Sequence, residues 1–86
     1  MPTLSRFFGI VVTMHWNDHH PPHFHARYGE HEAVIRVDTL EVETGYLLRR
    51  VLALVLEWAA DHRAELWDNW TRVQSRQATQ PIAPLE

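Results

Sequence analysis

His23-Phe-His-Ala-Arg-Tyr28 alternates polar and apolar side chains, which is the pattern of a β-strand with one buried face. A turn at Gly29-Glu30 and a second strand-like run, Glu32 to Val37, follow directly. Two such runs joined by a short glycine-containing turn predict an antiparallel hairpin. The fold is therefore expected to contain a small antiparallel sheet.

Two flanking segments extend the predicted sheet. Phe7 to Met14 is rich in bulky and β-branched residues and predicts one strand, in which Gly9 marks a bulge or a close approach. Leu40 to Val42 predicts a short piece at the edge, and Thr44 and Gly45 would then cap a helix. The expected sheet has three strands, or four if the edge piece forms.

The C-terminal half predicts helix. From Tyr46 to about Arg76, apolar residues recur at steps of three and four and form a broad stripe. One straight helix of this length would measure about 45 Å, more than a small sheet needs, so a bend between Asp61 and Ala64 is plausible. The fold class is α+β, with this long or bent segment packed on the sheet. Residues 77–86 contain two prolines and predict a loose arm.

Length and composition limit the classes of protein that fit. A chain of 86 residues forms a single domain over 1–86, and its small core favours a homo-oligomer or a partner protein. With a net charge of -3, the molecule as a whole is not expected to bind the phosphate backbone of nucleic acid electrostatically. Cysteine is absent and no apolar run approaches the roughly 20 residues that span a bilayer. We expect a cytoplasmic protein with no membrane contact.

Histidine is the residue in excess, with 7 in the chain and a cluster between His15 and His25. His23 and His25 share one strand face about 6.6–6.8 Å apart, within reach of one metal ion or one phosphate. His19, held just before two prolines, could supply a third nitrogen. A zinc site of His19, His23 and His25 is therefore one hypothesis, and solvated side chains on the wet face of a strand are the plain alternative.

A second hypothesis needs no cofactor. Imidazoles can accept and donate protons, and Arg27 on the same face as His23 and His25 would stabilise charge developing on phosphorus. This set suits metal-independent cleavage of a phosphodiester. His62 and Asn69 fall inside the apolar helical stripe, where a polar side chain needs a hydrogen-bond partner. They are either satisfied core residues or, for His62, a member of the histidine site.

Three parts of the chain resemble the DUF4160 family of small bacterial proteins: Met1 to Ile10, Asn17 to Gly29, and the helical Leu56-Glu-Trp-Ala with His62-Arg and Asn69-Trp70. The resemblance implies a neighbouring DUF2442-type partner in a toxin-antitoxin-like pair. It also implies these positions as the family pattern: Asp18, His19, Pro21, Pro22, His23, His25, Glu57, Trp58, His62, Asn69 and Trp70. Leu47-Leu48 departs from the Leu-Pro that relatives often carry at the helix start.

Two functions are compatible with these residues. One is a ribonuclease-like toxin with catalytic His23, His25, Arg27 and His62, acting on RNA. The other is a non-enzymatic module that binds a DUF2442-type protein or a second copy, with or without a metal ion. Residues expected to contact substrate or partner are Asp18, His19, Arg36 and Asn69.

Overall fold

A computed structural model describes residues 2–86 as an α+β fold in which one sheet packs against two helices. The elements are β1 (Thr3–Phe7), β2 (Ile10–Thr13), β3 (His23–Tyr28), β4 (His31–Arg36), β5 (Val42–Gly45), α1 (Arg49–Asp61) and α2 (Arg63–Gln74). The five strands follow one another in the sheet in chain order, and every neighbouring pair is antiparallel. The α+β class is confirmed, and the expected count of three or four strands is wrong.

The additional strand comes from the N-terminal segment. The single strand predicted from Phe7 to Met14 is in fact the end of β1, a two-residue turn and β2. Both turn residues have positive φ, 51° at Phe8 and 82° at Gly9, which matches the tight turns preferred by two-residue hairpins. The sequence did not indicate this turn, because its first residue, Phe8, is of a type that is common in strands. The Phe8 side chain is exposed.

The predicted hairpin is confirmed. β3 and β4 pair over their full length, from His23 opposite Arg36 to Tyr28 opposite His31, with the turn at Gly29-Glu30. The edge strand exists but lies later than expected, at Val42–Gly45. Thr44 and Gly45 therefore belong to the sheet and do not cap the helix.

Gly45 illustrates why the edge strand extends this far. Its φ is 86°, and a Cβ at this position would lie 2.1 Å from the carbonyl oxygen of Glu32 in the adjacent strand. A side chain would thus prevent this close backbone approach. Helix α1 begins only at Arg49, and Leu48 precedes it without a side-chain cap.

The core lies between one face of the sheet and the helices. Phe24 and Ile35 are fully buried on neighbouring strands, and α1 places the buried Trp58 against Phe24. The Trp58 ring lies 5.4 Å from the Phe7 ring and 6.1 Å from the Phe24 ring, measured between centroids. The expected bend in the helical segment is confirmed at His62, whose φ of -124° and ψ of 26° separate α1 from α2.

The C-terminal residues differ from the predicted loose arm. They form no helix or strand, yet Ile82 is only 4% exposed and its N–H donates to Leu4 O at 2.8 Å. The Trp58 indole N–H donates to Ala83 O at 2.8 Å. Ile82 therefore joins the core and Leu85 packs against it, although most of the segment is exposed. Neither helix is long and apolar enough to cross a bilayer.

Candidate functional site

One face of β3 carries His23 and His25, here called the histidine row. Phe24 and Ala26 point into the core, so the alternation of the strand places His23, His25 and Arg27 on the opposite side. The loop that follows β2 covers part of this face. In that loop the backbone N–H of His15 donates to Asp18 Oδ2 at 3.0 Å, which fixes the carboxylate above the strand.

The Asp18 carboxylate contacts two histidines of the site. His25 Nε2 lies 3.3 Å from its Oδ2, and His23 Nε2 lies 3.3 Å from its Oδ1. The three side chains are 12 to 14% exposed, so the cluster is mostly shielded from water. Asp18, predicted above to contact substrate or partner, therefore positions the histidines in this structure.

The Nδ1 atoms of His23 and His25 also have hydrogen-bond partners. His25 Nδ1 lies 3.0 Å from Glu32 Oε2 on β4, and His23 Nδ1 lies 2.9 Å from the carbonyl oxygen of Pro21. Both partners can only accept a hydrogen bond, so each Nδ1 carries the proton. Each ring is thereby locked with its Nε2 directed at Asp18.

His15 is the site residue that the sequence analysis did not assign. Its ring lies 4.0 Å from the His25 ring between centroids, and one ligand atom each of His15, Asp18 and His25 lie within 4.8 Å of one another. Burial lowers the pKa of His15. Side-chain alternation could have indicated this position. His15 lies two residues after Thr13 and so on the same face, and Thr13 pairs with His25 across the sheet.

An open groove of about 700 Å³ reaches the cluster. His15 and Asp18 form one wall, and residues of the C-terminal segment, Ala78 and Thr79, form the other. Trp16 lies in this groove and is 51% exposed. A second groove of about 380 Å³ lies beyond Trp16 and includes His19 and Arg76. The exposed Trp16 thus borders both open spaces, and so does Asp18 of the cluster.

Arg27 joins the cluster, and His19 does not. Arg27 lines a small recess together with His15 and His25, and within residues 2–86 it forms no ion pair. His19 is exposed in the loop and lies outside the group of residues whose ligand atoms converge. The predicted metal set of His19, His23 and His25 is therefore not the set that the fold brings together. The loop turns back at Asp18, so its carboxylate takes the place expected for His19.

His62 also lies apart from the strand histidines. Its Nδ1 bonds to the Glu65 carboxylate within the same helical segment, and its ring lies 5.5 Å from Trp58 on the core side. The helix break at His62 directs the ring to these local partners. Its predicted catalytic role with His23 and His25 is not supported by this position.

Two further predicted contact residues have structural partners. Arg36 forms a double hydrogen bond with Asp38, at 2.9 and 2.6 Å. Asn69 is buried and binds the backbone of Gln80 in both directions, donating at 2.9 Å and accepting at 2.7 Å. The Asn69 amide is thus occupied by the C-terminal segment.

Trp70 connects the core to the site. The side chain is buried on α2, and its ring lies 5.5 Å from His23 and 5.6 Å from His20. The second conspicuous tryptophan of the helical segment, Trp58, contacts core residues, the C-terminal segment and His62. Glu57 is exposed on α1. The family pattern therefore combines site residues with residues that hold the core.

Residues 9–71 match the family described as Domain of unknown function (DUF4160), and the chain belongs to this family. The matched region includes Asp18 and the three clustered histidines, but ends before the C-terminal segment that forms one wall of the groove. No curated protein and no solved structure matches the chain.

Proposed function

We propose that this member of the DUF4160 family cleaves phosphodiester bonds in RNA and acts as the toxin of a toxin-antitoxin-type pair. One observation carries the proposal: His15, His23 and His25 gather around the shielded carboxylate of Asp18 beside an open groove. Shielded clusters of titratable side chains next to a cleft are typical of catalytic sites.

The cluster contains the groups that this chemistry requires. When the 2′-hydroxyl of RNA attacks phosphorus, one group takes its proton and another protonates the departing 5′-oxygen. Imidazoles serve in both roles, and His23 and His25 are already oriented by Pro21 and Glu32. Arg27, free of an acidic partner within residues 2–86, is available for the charge that develops on the phosphate.

The groove suits a single-stranded nucleic acid. Trp16 offers an exposed aromatic face on which a base can stack, and such stacking contributes about 1–3 kcal/mol per base. Arg76 borders the space beyond Trp16, where the next phosphate would lie. Because the whole chain has a net charge of -3, binding depends on these local contacts.

The test is cleavage of single-stranded RNA by the purified protein and by the double variant His23→Ala/His25→Ala. The wild type is expected to cut, and the double variant is expected to lose cleavage with an unchanged circular dichroism spectrum. His31→Ala is the matched control, since His31 is exposed on β4 and its ring contacts Tyr46. Cleavage that persists in the folded double variant would refute the proposal.

The edge of the sheet favours a second candidate, a binding module. All four residues of β5 are exposed, and its outer edge has no neighbouring strand within residues 2–86. Such an edge can pair with a strand of another chain. The partner would be a DUF2442-type protein, or a second copy of this chain.

Co-expression with the neighbouring gene tests this candidate. A binding module is expected to co-purify with its partner, or to behave as a dimer in light scattering. Val42→Pro removes a backbone N–H from the edge strand and should weaken the association. A protein that stays monomeric and captures no partner would exclude the binding module and leave the enzyme proposal unaffected.

A further inference from the structure

The geometry points to a divalent transition-metal site formed by His15, Asp18 and His25, with Glu32 orienting His25 from outside the ligand set. Zn²⁺ is the ion that this donor set suits, because two imidazoles and one carboxylate form a typical three-residue zinc site with an open position. The site goes beyond the proposed function and does not depend on it. An ion on His25 Nε2 would occupy the nitrogen that the proposed acid–base chemistry needs, so RNA cleavage is expected of the metal-free protein.

The hydrogen bonds around Asp18 favour a bound cation. His23 Nδ1 and His25 Nδ1 both face oxygens that can only accept, so the proton of each neutral ring is on Nδ1. Each Nε2 then presents a lone pair to a carboxylate oxygen 3.3 Å away. Two acceptors facing each other repel unless a proton or a cation lies between them.

The negative charges of Asp18 and Glu32 also favour a bound cation. Asp18 is 12% exposed, and within residues 2–86 no arginine pairs with it. Glu32 adds a second carboxylate on the far side of His25. A shielded carboxylate requires a compensating charge, which a bound metal ion supplies. One divalent cation would balance both acids and satisfy the lone pair of His25 Nε2.

The distance between the His25 and Asp18 ligand atoms fits this ion, and the His15 nitrogen lies close enough to join them by a small movement of its ring. Around a tetrahedral Zn²⁺ with bonds of about 2.0–2.1 Å, neighbouring ligand atoms lie about 3.3–3.4 Å apart. The distance from His25 Nε2 to Asp18 Oδ2 is 3.3 Å, and a His15 nitrogen completes the set within 4.8 Å. His15 and Asp18 also line the large groove, so the fourth position of the ion would face the space where substrate enters.

The outer contact of His25 is of the kind that tunes metal ligands. Histidine ligands generally donate their second ring N–H to a carboxylate or carbonyl, which fixes the tautomer and raises the basicity of the ligand. The contact of His25 Nδ1 with Glu32 Oε2 at 3.0 Å has this arrangement. Glu32 is therefore a positioning residue for the ion.

Calorimetric titration of Zn²⁺ into tag-free, chelator-treated protein tests the site. We expect one ion per chain, with binding lost in Asp18→Asn and His25→Ala and weakened about 10–100-fold in Glu32→Gln. His19→Ala is the matched control, because His19 lies in the same loop outside the cluster, and this variant should bind as the wild type does. Co²⁺ in place of Zn²⁺ should give the visible absorption of a four-coordinate site, lost in the same variants.

Two results would overturn the site: no Zn²⁺ binding by the folded wild type, or binding that survives His15→Ala and is lost in His19→Ala. Circular dichroism on each variant shows that it is folded. The titration contains no RNA, so its outcome is separate from that of the cleavage assay. Zn²⁺ binding without cleavage would refute the proposed function alone, and cleavage without Zn²⁺ binding would refute the metal site alone.

Discussion

The two faces of β3 differ in what holds their side chains in place. On one face Phe24 and Ala26 are fully buried against the helices. On the other, His23 and His25 are fixed by hydrogen bonds and by the carboxylates of Asp18 and Glu32. One six-residue strand thus contributes to two different environments. Its packed face contributes to the core, and its polar face carries the candidate site.

The largest effect on stability is expected on the packed face. Phe24→Ala should lower the free energy of unfolding by about 3–5 kcal/mol, because it removes a ring that is 0% exposed and leaves a cavity. Urea unfolding measures the change. Phe8→Ala is the matched control, since Phe8 is 59% exposed, and it should change the value by less than about 0.5 kcal/mol. Equal losses in the two variants would contradict the assignment of the core face.

The packed side extends to the C-terminal segment through Asn69. Asn69→Ala should cost about 1–3 kcal/mol, because it removes both hydrogen bonds that the buried Asn69 side chain forms with the Gln80 backbone. Gln80→Ala is the control, since only the backbone of Gln80 takes part in these bonds. If urea unfolding gave the same midpoint for Asn69→Ala and the wild type, the segment would not contribute to the core.

The polar face should contribute much less to stability. His25→Ala is expected to lower the free energy of unfolding by about 1 kcal/mol, the net contribution of a typical hydrogen bond, in metal-free protein. The reason is that the contacts of His25 lie on the polar face, with the carboxylates of Asp18 and Glu32 and with the rings of the neighbouring histidines. A loss comparable to that of Phe24→Ala, again in urea, would show that the histidine row is structural.

The smallest effect concerns the ion pair at the end of β4. The hydrogen bond from Arg36 lowers the pKa of Asp38, so the folded state binds this proton less readily than the unfolded state. The pair therefore stabilises the fold above the ordinary pKa of aspartate, and this contribution is lost as the pH falls below about 4. Asp38→Asn should flatten the acid limb of the stability profile slightly. Asp61→Asn, which removes an acid outside any ion pair in residues 2–86, should not reproduce that change.

The parts of the fold that follow from side-chain alternation were predictable. Strand β3 has the bounds that the pattern indicates, and the helical break lies in the predicted interval. The turn at Phe8-Gly9 was not predicted, because its first residue is apolar and only the positive φ reveals the reversal. The packing of residues 77–86 was also missed, since it depends on single contacts such as Trp58 to Ala83. Such contacts leave no periodic signal in the sequence.

The candidate site was predictable only in part. Strand register placed His23 and His25 on one face, but the partners that surround them come from a loop whose path the sequence does not specify. Asp18 turns inward through its bond to the His15 backbone, while His19 next to it is exposed. His62 was assigned to the site from its position on the helical stripe. The helix break redirects it to Glu65.

Asp18→Asn tests the central claim, that the cluster around Asp18 performs chemistry. Asparagine keeps an oxygen for the His15 backbone N–H but removes the charge to which His23 and His25 turn. The measurement is the rate of single-stranded RNA cleavage by this variant, compared with the wild type at equal folded fraction. The account predicts that the wild type cleaves and that Asp18→Asn does not. Equal cleavage rates in the two proteins would contradict it.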